Sequence, residues 1–475
     1  MIHWLQHETG GLLLLSAASI AVLLFLIIKI KLEPFVSLLV ASLLLALAAG
    51  LSVDQIVGSA LNSKTSLLET GFGGILGHIA PIVGLGTILG AILEASGGAD
   101  VLTRRLLGIF GERGAPLAMG LSGLVLGIPV FFDVGIFVLA PLVYVTAKRG
   151  GRSLVLYALP LLAGLSMTHA FLPPHPGPVA AAGLLGVSLG WLIVMGLICG
   201  IPAFLAAGVA WGAWIGKRVI VGVPADYVIA EQEREAAGGA GTGGEGTAAP
   251  ARPEPPLSLV LLIIAVPMLL ILLATFGTVW WKGSAALPPL TLLGNPTVAL
   301  SLAVLLAMWL LGVRRGISVT ELSELAARSL RPIGMIMLVI GAGAFFGAVI
   351  SATGVGKALA GTLSDAGLPT IVLAYLISCG LRLAQGSATV AIVTTGGIVA
   401  PLVAGGDHSQ PHLALIAIAI SAGSIFASHV NDGGFWIVSR YFNMSVRDTL
   451  KTWTVLETIL SLVGFAVAGL LSTVV

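Results

Sequence analysis

Charge is what this chain has least of. Only 9% of its 475 residues are Asp, Glu, Lys or Arg, against 57% hydrophobic, and the mean hydropathy is +1.07. A soluble domain carries about 25% charge, so most of this surface is expected to face lipid. The net charge of +2 leaves no basic patch dense enough to grip phosphates, which argues against nucleic acid as a partner. Cysteine is nearly absent: Cys199 and Cys379 lie far apart in apolar runs, too few for a disulfide framework or a thiolate zinc site. The histidines lack zinc-motif spacing, and the glycine-rich strings lack the Lys-Ser/Thr of a phosphate loop. The sequence calls for no cofactor.

What the chain does have is a succession of apolar stretches long enough to cross a bilayer. The first, 11–28, follows a leader without basic residues, and Lys29 and Lys31 come after it. It reads as a permanent span rather than a cleaved signal. One segment, 222–256, is rich in Gly, Ala, Pro and Glu and reads as a solvated linker. It divides the chain into an N-terminal membrane repeat, 1–221, and a C-terminal one, 257–475.

The halves repeat each other. GLSVDQIVGSALNS from Gly50 resembles GISVTELSELAARS from Gly316, and LGAILEASGGADVL from Leu89 resembles FGAVISATGVGKAL from Phe346. VLAPLV ending at Val143 matches IVAPLV ending at Val403, and SMTHAF around His169 matches FASHVN around His429. Charge then sets orientation. Loops carrying Arg104, Arg105, Arg113, Lys148, Arg149 and Arg152 correspond to 361–368 and 404–410, which hold no Lys or Arg. Conversely, Arg314 and Arg315 face the neutral Ala48 and Ala49. By the positive-inside rule the halves are expected to be inverted. The fold class is therefore an all-α polytopic membrane protein. Each half has about five spans, a re-entrant helical hairpin (115–147 and 369–403) and an interrupted helix, with the linker inside and both termini outside. The hairpin turns fall near 127–129 and 385–387.

Residues 168–178, THAFLPPHPGP, and their partner SHVNDGG at 428–434 place helix breakers and polar groups just after a span in each half. A broken helix exposes backbone amides and carbonyls at its ends, and paired breaks point to a transport site near mid-membrane. The alternative for 168–178 alone is an external turn. The break residues Thr168, His169, Pro174, His175 and Gly177, and Ser428, His429, Asn431, Asp432 and Gly433, are candidates to line the site.

LSMTHAFLPPHPGP, IPVFFDVG and HVNDGGFWIVSRYFNMSVRDTLKTWTVLETI resemble the gluconate permease family over nearly the whole chain. The resemblance implies a bacterial inner-membrane carrier that takes up gluconate or a related sugar acid with protons. Some relatives carry D-serine or other short hydroxy acids. It further implies an inverted-repeat architecture in which a transport domain moves against a scaffold, as a homodimer.

Arg382, inside the second hairpin, is the sharpest candidate. A guanidinium at that depth faces a cavity or a partner and suits a carboxylate in bidentate fashion; the alternative is an ion pair with Asp133 or Asp432. Gln385, Ser387 and Thr389 follow at the hairpin turn, either bonding substrate hydroxyls or packing the hairpin. Asp133, His169 and Asp432 are candidates to carry the proton, although Asp133 also suits a helix cap and the histidines suit structural hydrogen bonds. Glu94 and Glu457 read as structural, Glu457 lying in the last span and assigned to the scaffold. An intramembrane hydrolase is a competing class, but an enzyme does not need matched, oppositely oriented halves.

Overall fold

The computed structural model describes residues 2–59, 66–224, 254–281, 284–331, 333–354, 369–404, 406–429 and 432–475. Helix dominates, and no strand occurs among these residues. Lipid supplies no hydrogen bonds, so a spanning chain must satisfy its backbone within helices. Eight of these helical segments are long and apolar enough to cross a membrane, and four shorter apolar helices accompany them.

The N-terminal half contains α1 (Thr9–Ile28), α2 (Pro34–Ala48), α3 (Gly74–Ala95), α4 (Gly98–Leu126), α5 (Phe132–Gly150), α6 (Val155–Phe171), α7 (Pro176–Leu185) and α8 (Leu189–Phe204). The C-terminal half contains α9 (Leu257–Trp280), α10 (Pro296–Ala307), α11 (Val319–Leu330), α12 (Ile333–Ala352), α13 (Thr370–Gln385), α14 (Ala388–Val403), α15 (Gln410–Ile425), α16 (Gly433–Tyr441) and α17 (Val455–Leu471). The first repeated sequence pair has a local cause. Ser52 with Gln55, and Ser318 with Glu321, each form a reciprocal capping box, which satisfies helix-start amides that would otherwise lack partners.

The packing is reciprocal between the halves. α3 lies on α10 while α12 lies on α2; α7 lies on α14 while α16 lies on α5; α8 and α17 lie on each other. Both expected hairpins are present. α4 and α5 meet across a turn at 127–131, and α13 and α14 across 386–387. α13 and α14 have 16 residues each, about 24 Å at 1.5 Å per residue and short of a bilayer's ~30 Å core. α4 is broken at Gly111 (φ 62°, ψ −172°), a conformation essentially limited to glycine, so the hairpin arm proper begins after it.

Both expected interruptions are present as well. α6 stops at Phe171 and α7 begins at Pro176, with a cis peptide at Pro173–Pro174 between them; α15 stops at Ile425 and α16 begins at Gly433. α6 and the later part of α15 are enclosed on all sides, which is why their sequences are apolar all round. The start of α4 also touches the far end of the linker, where Arg104 pairs with Glu254 at 2.5 Å. These are two places the charge pattern puts on one side of the membrane.

Close helix approach depends on missing side chains. A Cβ on Gly164 of α6 would lie 2.5 Å from the Gly120 carbonyl oxygen and the Leu124 nitrogen of α4, whereas one on Gly380 of α13 meets nothing within 4 Å. Overpacking costs about 1–3 kcal/mol. Gly164→Ala is therefore expected to lower the thermal midpoint of the detergent-solubilised protein, followed by tryptophan fluorescence, while Gly380→Ala is not. Equal midpoints would contradict the α4–α6 contact.

Candidate functional site

In each half the hairpin tip is tied to the break in the following helix. In the first half, His175, the residue before α7, places Nε2 2.5 Å from the carbonyl oxygen of Gly127 at the tip. In the second half the tie is ionic. Arg382, in the last turn of α13, donates from Nη1 to the Gly386 carbonyl at the tip and from Nη2 to Oδ2 of Asp432. Asp432 caps α16, its Oδ1 accepting the Gly434 amide at 2.9 Å, and Oδ2 also accepts the Ser428 hydroxyl. Ser428 in turn accepts the Trp453 indole N–H at 2.8 Å, and its carbonyl accepts the Thr454 hydroxyl at 2.5 Å. Those last two residues belong to a single π-helical turn, Leu450–Thr454, that leads into α17. Such turns often mark functional sites.

A cavity of about 390 Å³ opens at this junction, within the roughly 300–1,000 Å³ usual for small-molecule sites. Its polar wall is formed by Asp133, Ser166, His169, Arg382, Ser387, Thr389, Asp432 and Glu457, and its apolar wall by Phe132, Ile425, Ile437 and Trp453. Three helix starts border it: α5 at Phe132, α14 at Ser387, and α16 at Asp432 and Gly433. The positive ends of their dipoles favour an anion there. Three buried atoms facing this region have no hydrogen-bond partner among the described residues: Nε of Arg382, Nδ1 of His169 and Oε1 of Glu457. The Phe132 and Trp453 rings lie 5.3 Å apart, tilted by 33°, and offer an apolar surface beside the charged groups.

Arg382, Ser387, Thr389, Asp432, Gly433, Asp133 and His169 thus meet in one cavity, and Ser428 supports it from behind through Asp432. Five of the remaining sequence candidates lie elsewhere. Thr168 turns inward to bond the carbonyls of Gly164 and Leu165, against Gly127. Pro174 packs on Gly86, and Gly177 on Ile392. His175 is buried behind His169, their rings 4.8 Å apart. His429 places Nδ1 2.9 Å from its neighbour Ala427's carbonyl. Gln385 closes α13, and its side chain, like Asn431, lies outside the described residues. Asp133 sits in the first turn of α5, where the cap position is Phe131 and no side chain caps the helix.

Sequence reasoning missed Phe132, Ser166, Trp453 and Glu457. Two of these share a helical stripe with recognised or aromatic neighbours: Ser166 lies one turn before His169, and Glu457 one turn after Trp453. Among the described residues no group of three His, Cys, Asp or Glu side chains is placed to hold a metal ion.

The model of the GntP family permeases matches residues 11–474. The chain belongs to the GntP permease family. A gluconate permease of Pseudomonas aeruginosa is 39% identical, the alignment covering 99% of each chain. The inner membrane permease YgbN of Escherichia coli is 41% identical over 97% of this chain and 98% of its own. A gluconate permease of Bacillus subtilis is 37% identical over 98% and 100%. Among solved structures, the YdaH transporter of Alcanivorax borkumensis has a TM-score of 0.60 at 14% identity, covering 92% of this chain and 97% of that one. MtrF of Neisseria gonorrhoeae has a TM-score of 0.54 at 16% identity, covering 100% and 97%. These two show the fold alone. This GntP permease is a multi-pass membrane transporter and not an enzyme.

Removing one partner of a buried ion pair leaves an uncompensated charge and costs about 3–5 kcal/mol. Asp432→Asn is therefore expected to lower the thermal midpoint well beyond Ser428→Ala, which removes one of Asp432's partners but leaves the pair. Comparable midpoints for the two variants would show that the pair does not support the fold.

Proposed function

We propose that the protein takes up gluconate, or a closely related hydroxylated monocarboxylate, together with protons. The observation that carries this reading is Arg382: a buried guanidinium with Nε unpartnered, in a cavity bordered by three helix starts. Guanidinium and helix amides both suit a carboxylate. Ser387 and Thr389 supply hydroxyls for the polyol chain, and the Phe132–Trp453 surface suits its C–H face. The relatives named gluconate permeases, similar over almost their full length, support the same substrate.

The reading includes two halves of opposite orientation, with hairpins that enter and leave on one side. The charge pattern, the repeated element order and the reciprocal packing support it. It further includes a homodimer in the bacterial inner membrane with both termini outside. The tie between each hairpin tip and helix break gives each half a unit able to move as a body, the usual basis of alternating access. If one proton accompanies one monoanion, no net charge crosses. Accumulation then follows the pH gradient at about 1.4 kcal/mol per unit and ignores membrane potential.

The second reading is a carrier of D-serine or another short hydroxy acid; the relative at 41% identity, named only as an inner membrane permease, does not decide between the two. A competition panel separates the two. Labelled gluconate uptake into proteoliposomes should be blocked by unlabelled gluconate and other sugar acids and spared by D-serine; the reverse order would favour the second reading. In the same assay Arg382→Ala is expected to reduce uptake at least 100-fold, about 2.7 kcal/mol or more. Arg382→Lys should fail to restore it, because an ammonium lacks the planar fork. Near-normal uptake by Arg382→Ala would refute the carboxylate role. Uptake driven by membrane potential alone, without a pH gradient, would rule out one-to-one coupling.

A further inference from the structure

Glu457 stands in the wall of the cavity on α17, buried to 2% exposure, with Oε1 lacking any hydrogen-bond partner among the described residues. An intramembrane carboxyl group is costly to retain without a task, and one with a bare, buried oxygen is the costly form of it. Its neighbours are polar but uncommitted to it. Ser166 of α6, Arg382 and Asp432 lie close enough to interact with it.

Of the other acidic groups of the cavity, one is engaged and one is open to solvent. Both oxygens of Asp432 are taken, by Arg382, Ser428 and the Gly434 amide. Asp133 is exposed and takes no part in those bonds. On the elements packed against α17, the groups facing Glu457 are His169 on α6 and Arg382 on α13. Cys199 on α8 and Cys379 on α13 are buried thiols, Tyr375 on α13 pairs with Ser461 at 3.0 Å, His412 lies at the far end of α15, and Lys451 is exposed. His169 also has a free ring nitrogen. A charge there, however, would stand near Arg382, with the ring enclosed by Phe131, Phe132 and His175.

We propose that Glu457 is the group that takes up the coupling proton. With three carboxyl groups and one guanidinium in its wall, the cavity gains further negative charge when a monocarboxylate enters. A proton moving from cavity water onto Oε1 converts Glu457 to a neutral carboxylic acid and offsets that charge. The same proton returns to water on the other side after the anion leaves. The assignment rests on the proposed proton-coupled uptake for its function, but not for its location.

The test uses the full-length protein in liposomes, with labelled gluconate as probe. The wild type is expected to perform gluconate–gluconate counterflow without a pH gradient, and to accumulate gluconate about tenfold per unit of imposed pH gradient. Glu457→Gln should retain counterflow and lose the accumulation, down to onefold, and Glu457→Asp should recover part of it. Tenfold accumulation by Glu457→Gln overturns the proposal. Infrared difference spectra between acidic and alkaline buffer supply an arm that needs no substrate. The wild type should show a protonated-carboxyl band that Glu457→Gln removes, and an unchanged band overturns the assignment even where that variant has lost both activities. Absence of gluconate counterflow in the wild type would sink the substrate reading instead, leaving the infrared arm to decide Glu457.

Discussion

The bond between Arg382 and Asp432 ties the second hairpin to the helix break that follows it, and the polar interior is built around it. Two charges withdrawn from water inside a membrane protein are tolerable together, and with most of their remaining donors and acceptors satisfied. The partners that do this are all products of helix interruption. The Gly386 carbonyl is available because α13 ends there, Gly386 taking a left-handed conformation at φ 80°. The Gly434 amide is available because α16 begins there, and the Ser428 hydroxyl because α15 has already stopped. The prolines, glycines and polar residues that would be liabilities in a continuous span are thus what make a polar interior possible. Trp453 and Thr454 extend the arrangement to the last helix by holding Ser428 from the other side.

The first half repeats this geometry without the charge. Its tip and break are joined by the His175–Gly127 bond and by the Phe131 ring against His175, and Pro174 fills the space left by the absent side chain of Gly86. One half therefore supplies a neutral, close-packed copy of the joint and the other an ionic one. The cavity is completed by crossing between them: Phe132, Asp133, Ser166 and His169 come from the first half, and Arg382, Asp432 and Glu457 from the second. The packing of α16 on α5 and of α17 on α6 brings these two sets face to face.

Much of this was legible in the sequence because breakers have few alternatives. Gly and Pro near 127–129, Gln385–Ser387, and the runs at 168–178 and 428–434 mark turns and breaks that fall within a few residues of those observed. The capping serines Ser52 and Ser318 explain why the repeat was visible there at all. Which way the side chains turn was far less legible. Amphipathic contrast reveals the inward face of a helix only where one face meets water, and α6 is buried almost entirely. The rotation of α6 is set instead by the contact of Gly164 with the α4 backbone. That contact turns Thr168 toward α4 and brings Ser166 and His169 to the cavity, so neighbours in one motif part company. For Glu457, assignment of the last span to a scaffold obscured that its first turn continues from the π-helical turn bearing Trp453.

If the cavity holds the anion as proposed, the ion pair also bears on how that anion is released. A solitary guanidinium beneath three helix starts, in a low-dielectric wall, would hold a carboxylate strongly and give it up slowly. Asp432 offsets that field before any substrate arrives, and its own cap on α16 keeps it in place. What remains for an incoming anion is the free Nε of Arg382 and the helix amides. These are enough to orient a carboxylate, yet each contact is weaker than a full salt bridge. A carrier must let go on the far side as readily as it binds on the near one. An arginine already neutralised by a fixed carboxylate meets that requirement, and the interrupted helices that satisfy the pair are the structural means of doing so.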